Sequence, residues 1–514
     1  MTRREFVGMA ASAAAGTGFP VRAATAGTSN LRVGIMSDVH CHHPEAVRRF
    51  IRGLEVLRDE KVDAVLLAGD LFTTGTVKEL EDVAAAWFKI FPNDRRPDGT
   101  KVERLFVTGN HDEVDWDWKR FGTTENLRAK TFYYNRETVW KRLWGEDYEK
   151  IRMKTVKGYT FVLRHWLCRS FSHFGHTVPP EPEVTPAFME MHGATLRSCG
   201  KPFFYVQHEP IDNTVNATWL FGGTKWDNGQ TGRGEKERKL FSRYPNAVVL
   251  TGHSHDTLTD EMSIWQGGFT AVNCSSGCGY IFTAPGRQNG FNCEDFNRTP
   301  PYEMPCFRHL VPRQALVMDV YDDRIVFKKL DTAHPDVLGP DWVVPLFAGG
   351  ATVPPSGTPK YDFMARKAAS KPPVFAADAQ VSVSYVKEGH HRKVGAVSCA
   401  LDLTETHPQF RVTFPPITTK TSPIRAFDFR VVCEHRTGNV VTTAKEHCVY
   451  SPNFCMAECH ETEPVTCDFA VGSIPANCKG EIRFVVTPCD CWGNAGAPIA
   501  SAWVAPHELS RSVV

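Results

Sequence analysis

Five apolar runs of strand length are each followed within two residues by Asp, Asn or His. The runs are Leu31 to Met36, Val62 to Ala68, Arg104 to Thr108, Pro202 to Gln207 and Ala247 to Thr251. The motifs behind them are Asp38-Val-His40, Gly69-Asp70, Gly109-Asn110-His111-Asp112, His208 and Gly252-His253-Ser254-His255. In open α/β sheets, sites form in the crevice beyond the carboxyl ends of the strands. Five such tips in one domain would bring Asp, Asn and His together. A lone D-x-H or G-N-H is common by chance, and a single His is more often structural than a ligand. The signal lies in the ordered set.

The segments between the runs support this layout. Val47, Phe50, Ile51, Leu54 and Leu57 follow helical spacing from Pro44 to Lys61, and Leu80, Val83, Ala84, Trp87 and Phe88 do so from Val77 to Phe91. The resulting β-α-β-α-β order predicts a mainly parallel start to an α/β domain. Residues 113–200 read as irregular and aromatic-rich, and 209–240 as a loop with some helix. Ile264 to Val272 and Ala315 to Leu330 alternate like strands, with Asp322-Asp323 as a hairpin turn. Paired Gly and Pro mark 346–378 as a linker. Beyond it, Val381, Val383 and Tyr385 alternate with polar residues, as do Phe427, Phe429, Val431 and Cys433, and Ile482, Phe484 and Val486. Residues 379–507 are therefore expected to form a β-sandwich-like accessory domain.

The chain has 514 residues, 42% hydrophobic and 23% charged, with a net charge of +1. That balance gives no reason to expect a polyanion such as nucleic acid as partner. Residues 1–26 resemble a twin-arginine export signal: Arg3-Arg4, a mildly apolar stretch from Val7 to Phe19, and an A-x-A pattern at Ala24-Thr25-Ala26. The apolar stretch is too short to anchor in a bilayer. The expected partner is the twin-arginine machinery, and the expected destination is the periplasm or the extracellular space of a bacterium. Sixteen cysteines fit an oxidising compartment. Nine lie late in the chain: Cys399, Cys433, Cys448, Cys455, Cys459, Cys467, Cys478, Cys489 and Cys491. Disulfides are the expected use, with a zinc site at Cys455, Cys459, Cys489 and Cys491 as the alternative.

The five motifs resemble those of the calcineurin-like metallophosphoesterases, the purple-acid-phosphatase-like superfamily, over roughly residues 31–345. The resemblance implies an α/β fold with four layers, α/β/β/α, built on two mixed sheets. It implies two divalent or mixed-valence metal ions, with Mn, Fe and Zn all compatible with carboxylate, amide and imidazole ligands. Asp38, His40 and His255 would hold one ion, Asn110, His208 and His253 the other, and Asp70 both. His111 would be the acid that serves the leaving oxygen, and Asp112 would orient it. The implied activity is hydrolysis of small phosphate mono- or diesters by in-line attack of a metal-bridging hydroxide. A cyclic-nucleotide or other phosphodiesterase is the alternative within the class, and a non-catalytic surface binding protein on the same scaffold the alternative outside it. Purple acid phosphatases carry a Tyr ligand three residues after the Gly-Asp aspartate; Thr73 stands there, which argues against an iron-tyrosinate centre. His42 and His43 read as loop cover, and Cys41 as a packed thiol.

Overall fold

The first apolar run forms strand β1 (Leu31–Met36), and Pro44–Asp59 follows as helix α1. His43 caps α1 by accepting from Ala46 N at 3.1 Å, and Pro44 occupies a first-turn position where its missing N–H costs nothing. Strand β2 (Ala64–Ala68) leads to helix α2 (Val77–Ile90), which opens on a capping box between Thr76 and Glu79. Strand β3 (Glu103–Val107) completes the unit. In this computed structural model the described residues are 27–113, 118–167, 171–173, 176–179, 181–215, 218, 233–277, 313–334, 336–358, 360–394, 401–418, 422, 424–451, 454–455, 457, 464–473 and 480–506. The leader-like residues 1–26 lie outside them, as does half of 209–240.

Helix α3 (Phe132–Trp144), strands β4 (Ile151–Val156) and β5 (Tyr159–Arg164), helix α4 (Thr185–Ser198) and strand β6 (Phe203–Val206) come next. They are followed by α5 (Arg233–Phe241), β7 (Ala247–Thr251), β8 (Ile264–Gln266), β9 (Thr270–Asn273), β10 (Gln314–Val320), β11 (Arg324–Asp331), β12 (Asp336–Val337) and β13 (Trp342–Pro345). One sheet runs β12-β11-β10-β1-β2-β3, with β13 also on β11; the other runs β8-β9-β7-β6-β5-β4. Both are mixed. β1, β2 and β3 are parallel and β10 antiparallel to β1; β5, β6, β7 and β9 are parallel, with antiparallel edges at β4 and β8.

The period-2 alternation of side chains produces four layers from these two sheets. Leu31, Val33, Ile35, Leu66 and Leu105 of one sheet pack against Phe161, Leu163, Phe204, Val248 and Leu250 of the other. The opposite faces carry Val65, Leu67 and Phe106 against α1, α2 and α3, and Val162, Tyr205 and Val249 against α4 and α5. The expected α/β/β/α arrangement is therefore present.

Residues 113–200, read above as irregular, hold two long helices and two six-residue strands, together with shorter helices and a hairpin of two three-residue strands. Their aromatics Trp140 and Trp144 are core residues. The hairpin between β4 and β5 turns at Lys157 and Gly158, both with positive φ (48° and 79°). Such a turn matches the twist of the strands it joins. The two strands flanking Lys-Gly are a signal the aromatic-rich composition obscured.

The described residues divide into two compact units, 27–277 with 313–362, and 363–506. The 346–378 segment is thus not a free linker. Thr352 accepts from Gln266 Nε2 at 2.6 Å and Tyr361 N donates to Gln266 Oε1 at 3.0 Å in the first unit, whereas Phe375 is a core residue of the second. Gly350 and Pro355 lie in turns, with Gly350 N donating to Phe347 O at 3.0 Å and Thr358 N to Pro355 O at 3.1 Å. The second unit contains α6 (Phe363–Ala369) and strands β14 (Ser382–Val394), β15 (Leu401–Phe414), β16 (Asp428–Thr437), β17 (Val440–Tyr450), β18 (Val465–Ala470), β19 (Glu481–Cys489) and β20 (Ile499–Ala500). Sheets β14-β15-β18 and β17-β16-β19-β20 enclose Phe410, Val412, Phe469, Phe429, Val431 and Phe484, an all-β region as expected. Cys467 and Cys489 are buried thiols outside any disulfide, and Cys467 packs in this interior. Cys399, Cys459 and Cys478 lie outside the described residues.

Leu66 is fully buried on the central strand of the inter-sheet core. Leu66→Ala is expected to cost about 2–5 kcal/mol, read as a lower denaturation midpoint in urea.

Candidate metal centre

Parallel pairing brings the ends of β1, β2 and β3 into line, and those of β6 and β7 likewise, so the motif loops leave from one rim. Backbone hydrogen bonds knit them: Asp38 N donates to Gly69 O (3.0 Å), His40 N to Asp70 O (3.1 Å) and Gly252 N to His208 O (2.8 Å). Two further bonds cross from sheet to sheet. His208 Nδ1 donates to Ala68 O at 2.8 Å, and His253 N donates to Asp38 Oδ2 at 2.9 Å.

The backbone at these tips is left-handed. Asp38, His40, Asp70, His253 and His255 have φ of 51°, 45°, 50°, 71° and 53°. Non-glycine residues seldom adopt this region, although Asp, Asn and His tolerate it best. Two glycines make room between them. Gly69 has φ of 94°, and a Cβ there would lie 2.4 Å from His208 Nδ1; a Cβ on Gly109 would lie 2.2 Å from Asp70 Oδ1.

The side chains converge in two groups that share one carboxylate. Asp38, His40, Asp70 and His255 form the first, and Asp70, His208 and His253 the second. Asp70 Oδ2 stands 3.6 Å from His40 Nε2 and 3.3 Å from His208 Nε2. His255 Nε2 is 3.1 Å from Asp38 Oδ1 and 3.3 Å from His40 Nε2. Asn110 Oδ1 joins the second group, 3.1 Å from His208 Nε2, and His253 Nδ1 lies 3.1 Å from that same nitrogen. The structure thus brings together all seven residues that the motifs single out as ligands.

The donor chemistry fits cations. With Nδ1 of His208 committed to a carbonyl, Nε2 faces a carboxylate, an amide oxygen and an imidazole nitrogen, all electron-pair donors. Asp38 Oδ1 is buried without a hydrogen bond of good geometry, despite the nearby His255 nitrogen. Burial pushes His40 down to about 3, and burial together with His208 pushes His253 down to about 4, so both rings are neutral. Against the pull of burial, Asp70 and Asp38 hold His208 up to about 10. Two buried carboxylates demand positive charge here, and His208 is where the protein alone supplies it. Divalent ions on the same atoms would supply it instead, displacing that proton.

The two residues assigned to acid chemistry part company. His111 lies at the rim, its ring 4.9 Å from that of His40. Its N donates to Asp70 Oδ1 at 2.9 Å and its Nδ1 to Thr73 O at 2.9 Å. Asp112 does not orient that ring. Its buried carboxylate accepts from Gly109 N (2.7 Å), Leu71 N (3.1 Å) and Phe72 N (2.9 Å). It pins the two loops that carry Asp70 and Asn110, because three amide hydrogens there have no strand partner. Its expected role beside His111 is corrected on that ground.

Sequence reading passed over several supports. Thr73 Oγ1 lies 3.2 Å from His40 Nδ1 and 3.0 Å from His42 Nδ1, turning Nε2 of His40 inward. Ser37 Oγ donates to Asp38 Oδ2 at 2.6 Å, and Ser276 Oγ to Asp38 O at 3.1 Å. Such partners fix ligand orientation. Ser37 and Thr73 adjoin the motifs and were legible from that position. Ser276 had no local signal.

Residues 31–257 match the family described as calcineurin-like phosphoesterase. The two sheets and their α layers are those of a metallophosphoesterase domain, to which the chain adds the all-β region. Among solved structures, a dimetal phosphatase from Danio rerio is similar at 12% identity, covering 62% of this chain and 99% of its own, with a TM-score of 0.34. A purple acid phosphatase from yellow lupin seeds is similar at 13% identity, covering 64% of this chain and 57% of its own, with a TM-score of 0.39. Vacuolar protein sorting 29 from Cryptosporidium parvum is similar at 11% identity over 62% of this chain and 97% of its own, with a TM-score of 0.25. No curated protein matches the chain.

Gly69→Ala would force its methyl into the His208 ring and place Ala at φ of 94°. It is expected to weaken Mn²⁺ binding at least tenfold in isothermal titration, with the far-UV circular dichroism of the parent retained.

Proposed function

We propose that the chain is a metal-dependent phosphoric ester hydrolase that cleaves small phosphate mono- or diesters. The observation that carries this reading is the shared Asp70 carboxylate, buried between two clusters of imidazole, carboxylate and amide groups. Asp38, His40 and His255 would hold one ion, Asn110, His208 and His253 a second, and Asp70 both. Two such ions neutralise phosphate oxygens and lower the pKa of a water held between them. The chain's own part is to aim the ligand atoms and to handle the leaving group. Thr73 O holds His111 by Nδ1, so Nε2 is the atom through which this ring would pass a proton to the leaving oxygen or hydrogen-bond it. Mn²⁺ is the first ion to try, since Thr73 offers no phenolate for ferric iron.

The location is part of the same proposal. Residues 1–26 would direct export of the folded protein by the twin-arginine machinery, leaving a mature chain near Gly27 in the periplasm or outside the cell. Among the described residues no helix is long and apolar enough to cross a membrane.

Metal-stripped mature protein reloaded with Mn²⁺ is expected to hydrolyse p-nitrophenyl phosphate or bis-p-nitrophenyl phosphate, and Asp70→Asn to abolish that turnover. Unchanged turnover in Asp70→Asn would refute the site. A strong preference for the diester would direct the reading to cyclic nucleotides and related diesters, and a monoester preference to phosphate scavenging. Separately, Arg3→Lys with Arg4→Lys is expected to retain the full-length chain in the cytoplasmic fraction of a bacterial host, seen by immunoblot.

A further inference from the structure

Behind the Gly109–Asp112 loop lies a polar chain that the proposed reaction does not use. Thr108 follows β3 immediately before the loop, and Glu113 comes directly after the loop. Thr108 Oγ1 donates to Glu113 Oε1 at 2.9 Å, so the strand end and the residue after the loop are joined side chain to side chain. Inside this clasp lies the 2.7 Å bond from Gly109 N to Asp112 Oδ2. Outside it, Tyr148 OH donates to Glu113 Oε1 at 2.6 Å, and Arg136 of α3 reaches Glu113 Oε2 at 3.3 Å. Arg136 in turn meets Glu181 at 2.5 Å, and Lys150 meets Glu181 at 2.7 Å. Thr108 is itself fixed on the β5 side: its N donates to His165 Nδ1 (3.1 Å), and its carbonyl accepts from Trp166 N (3.1 Å).

Glu113 is 1% exposed and Arg136 8%. A buried charged pair with incomplete partners is expensive, and replacing it with apolar side chains is often neutral for stability. Stability alone therefore gives little reason to place Thr108, Glu113, Tyr148 and Arg136 together here. Position gives one. The clasp spans Asn110 and His111 and reaches Asp70 through the N–H of His111, whereas Asp38, His40 and His255 come from other tips. Asn110 belongs to the second group only, and the backbone N of His111 holds Asp70 Oδ1.

We propose that Thr108, Glu113, Tyr148 and Arg136 are positioning residues that set Asn110 against His208 and so tune the second metal position selectively. The proposal rests on the two-ion reading above. Loss of a partner that orients a ligand commonly weakens a metal site about 10–100-fold.

The test is Mn²⁺ titration of the metal-stripped mature chain by calorimetry, with electron paramagnetic resonance to detect coupled ion pairs. Wild type is expected to bind two ions. Thr108→Val, Tyr148→Phe and Glu113→Gln are expected to keep the first at wild-type affinity and weaken the second at least tenfold, with loss of the coupled-pair signal. Thr108→Ser, which retains the hydroxyl, is expected to restore the second. kcat should fall with the second ion while KM for p-nitrophenyl phosphate changes little at saturating metal. Tyr148→Phe removes one oxygen only and covers the case in which the other two variants fail to fold. Two ions bound at wild-type affinities in Tyr148→Phe and Thr108→Val would overturn this inference and leave the two-ion reading standing. Fewer than two ions on the wild type would overturn both.

Discussion

The hydrogen bond from His208 Nδ1 to the carbonyl of Ala68 joins the two sheets at the point where their strands end. Packing of Leu66, Phe204 and Leu250 presses the sheets together but leaves them free to slide, because apolar contact has no direction. The directional bond fixes His208 against the β2 tip and settles which nitrogen of that ring faces Asp70. The second cross-sheet bond, from His253 N to Asp38, does the same at the β1 tip. With these two in place, ligands drawn from both sheets meet within a few ångströms. The same closeness requires glycine at 69 and 109, where any side chain would crowd His208 and Asp70.

The parallel strands and the candidate ligand residues stood out in the sequence because both signals are local. A buried strand reads as an apolar run, and a ligand motif reads as Asp, Asn or His at its end. What stayed hidden depends on contacts between distant segments. Strand β5 is paired on both sides, by β4 and β6, yet its segment was dominated by the aromatics around it. The residues after 346 carry Gly and Pro in pairs, which resembles a linker; the backbone of Thr352 and Tyr361 instead completes hydrogen bonds to Gln266. Composition registers a turn-rich segment and does not register what the turns are tied to.

Asp112 and Thr73 show the same distinction at the scale of single side chains. Asp112 neighbours His111 in sequence, so a carboxylate–imidazole pair was the natural expectation. Three unpaired backbone N–H groups claim the carboxylate first, since leaving a buried donor unsatisfied costs about 1–3 kcal/mol each. Orientation of His111 passes to the carbonyl of Thr73, an atom that every residue type possesses and that no motif can announce. The hydroxyl of the same Thr73 steadies His40. A residue noted at first for the tyrosine it replaces is therefore a hinge point for two imidazoles.

The left-handed backbone at Asp38, His40, Asp70, His253 and His255 has a thermodynamic consequence. Each such residue holds a conformation that costs of order 1–3 kcal/mol and persists only because its surroundings insist on it. The rim is therefore under tension, and it relaxes whenever the domain unfolds. A ligand that binds the folded arrangement alone offsets that tension by RT ln(1 + [L]/Kd). Melting temperature thus becomes a gauge of how fully the rim is occupied, one that needs no substrate and reports on inactive variants as readily as on active ones.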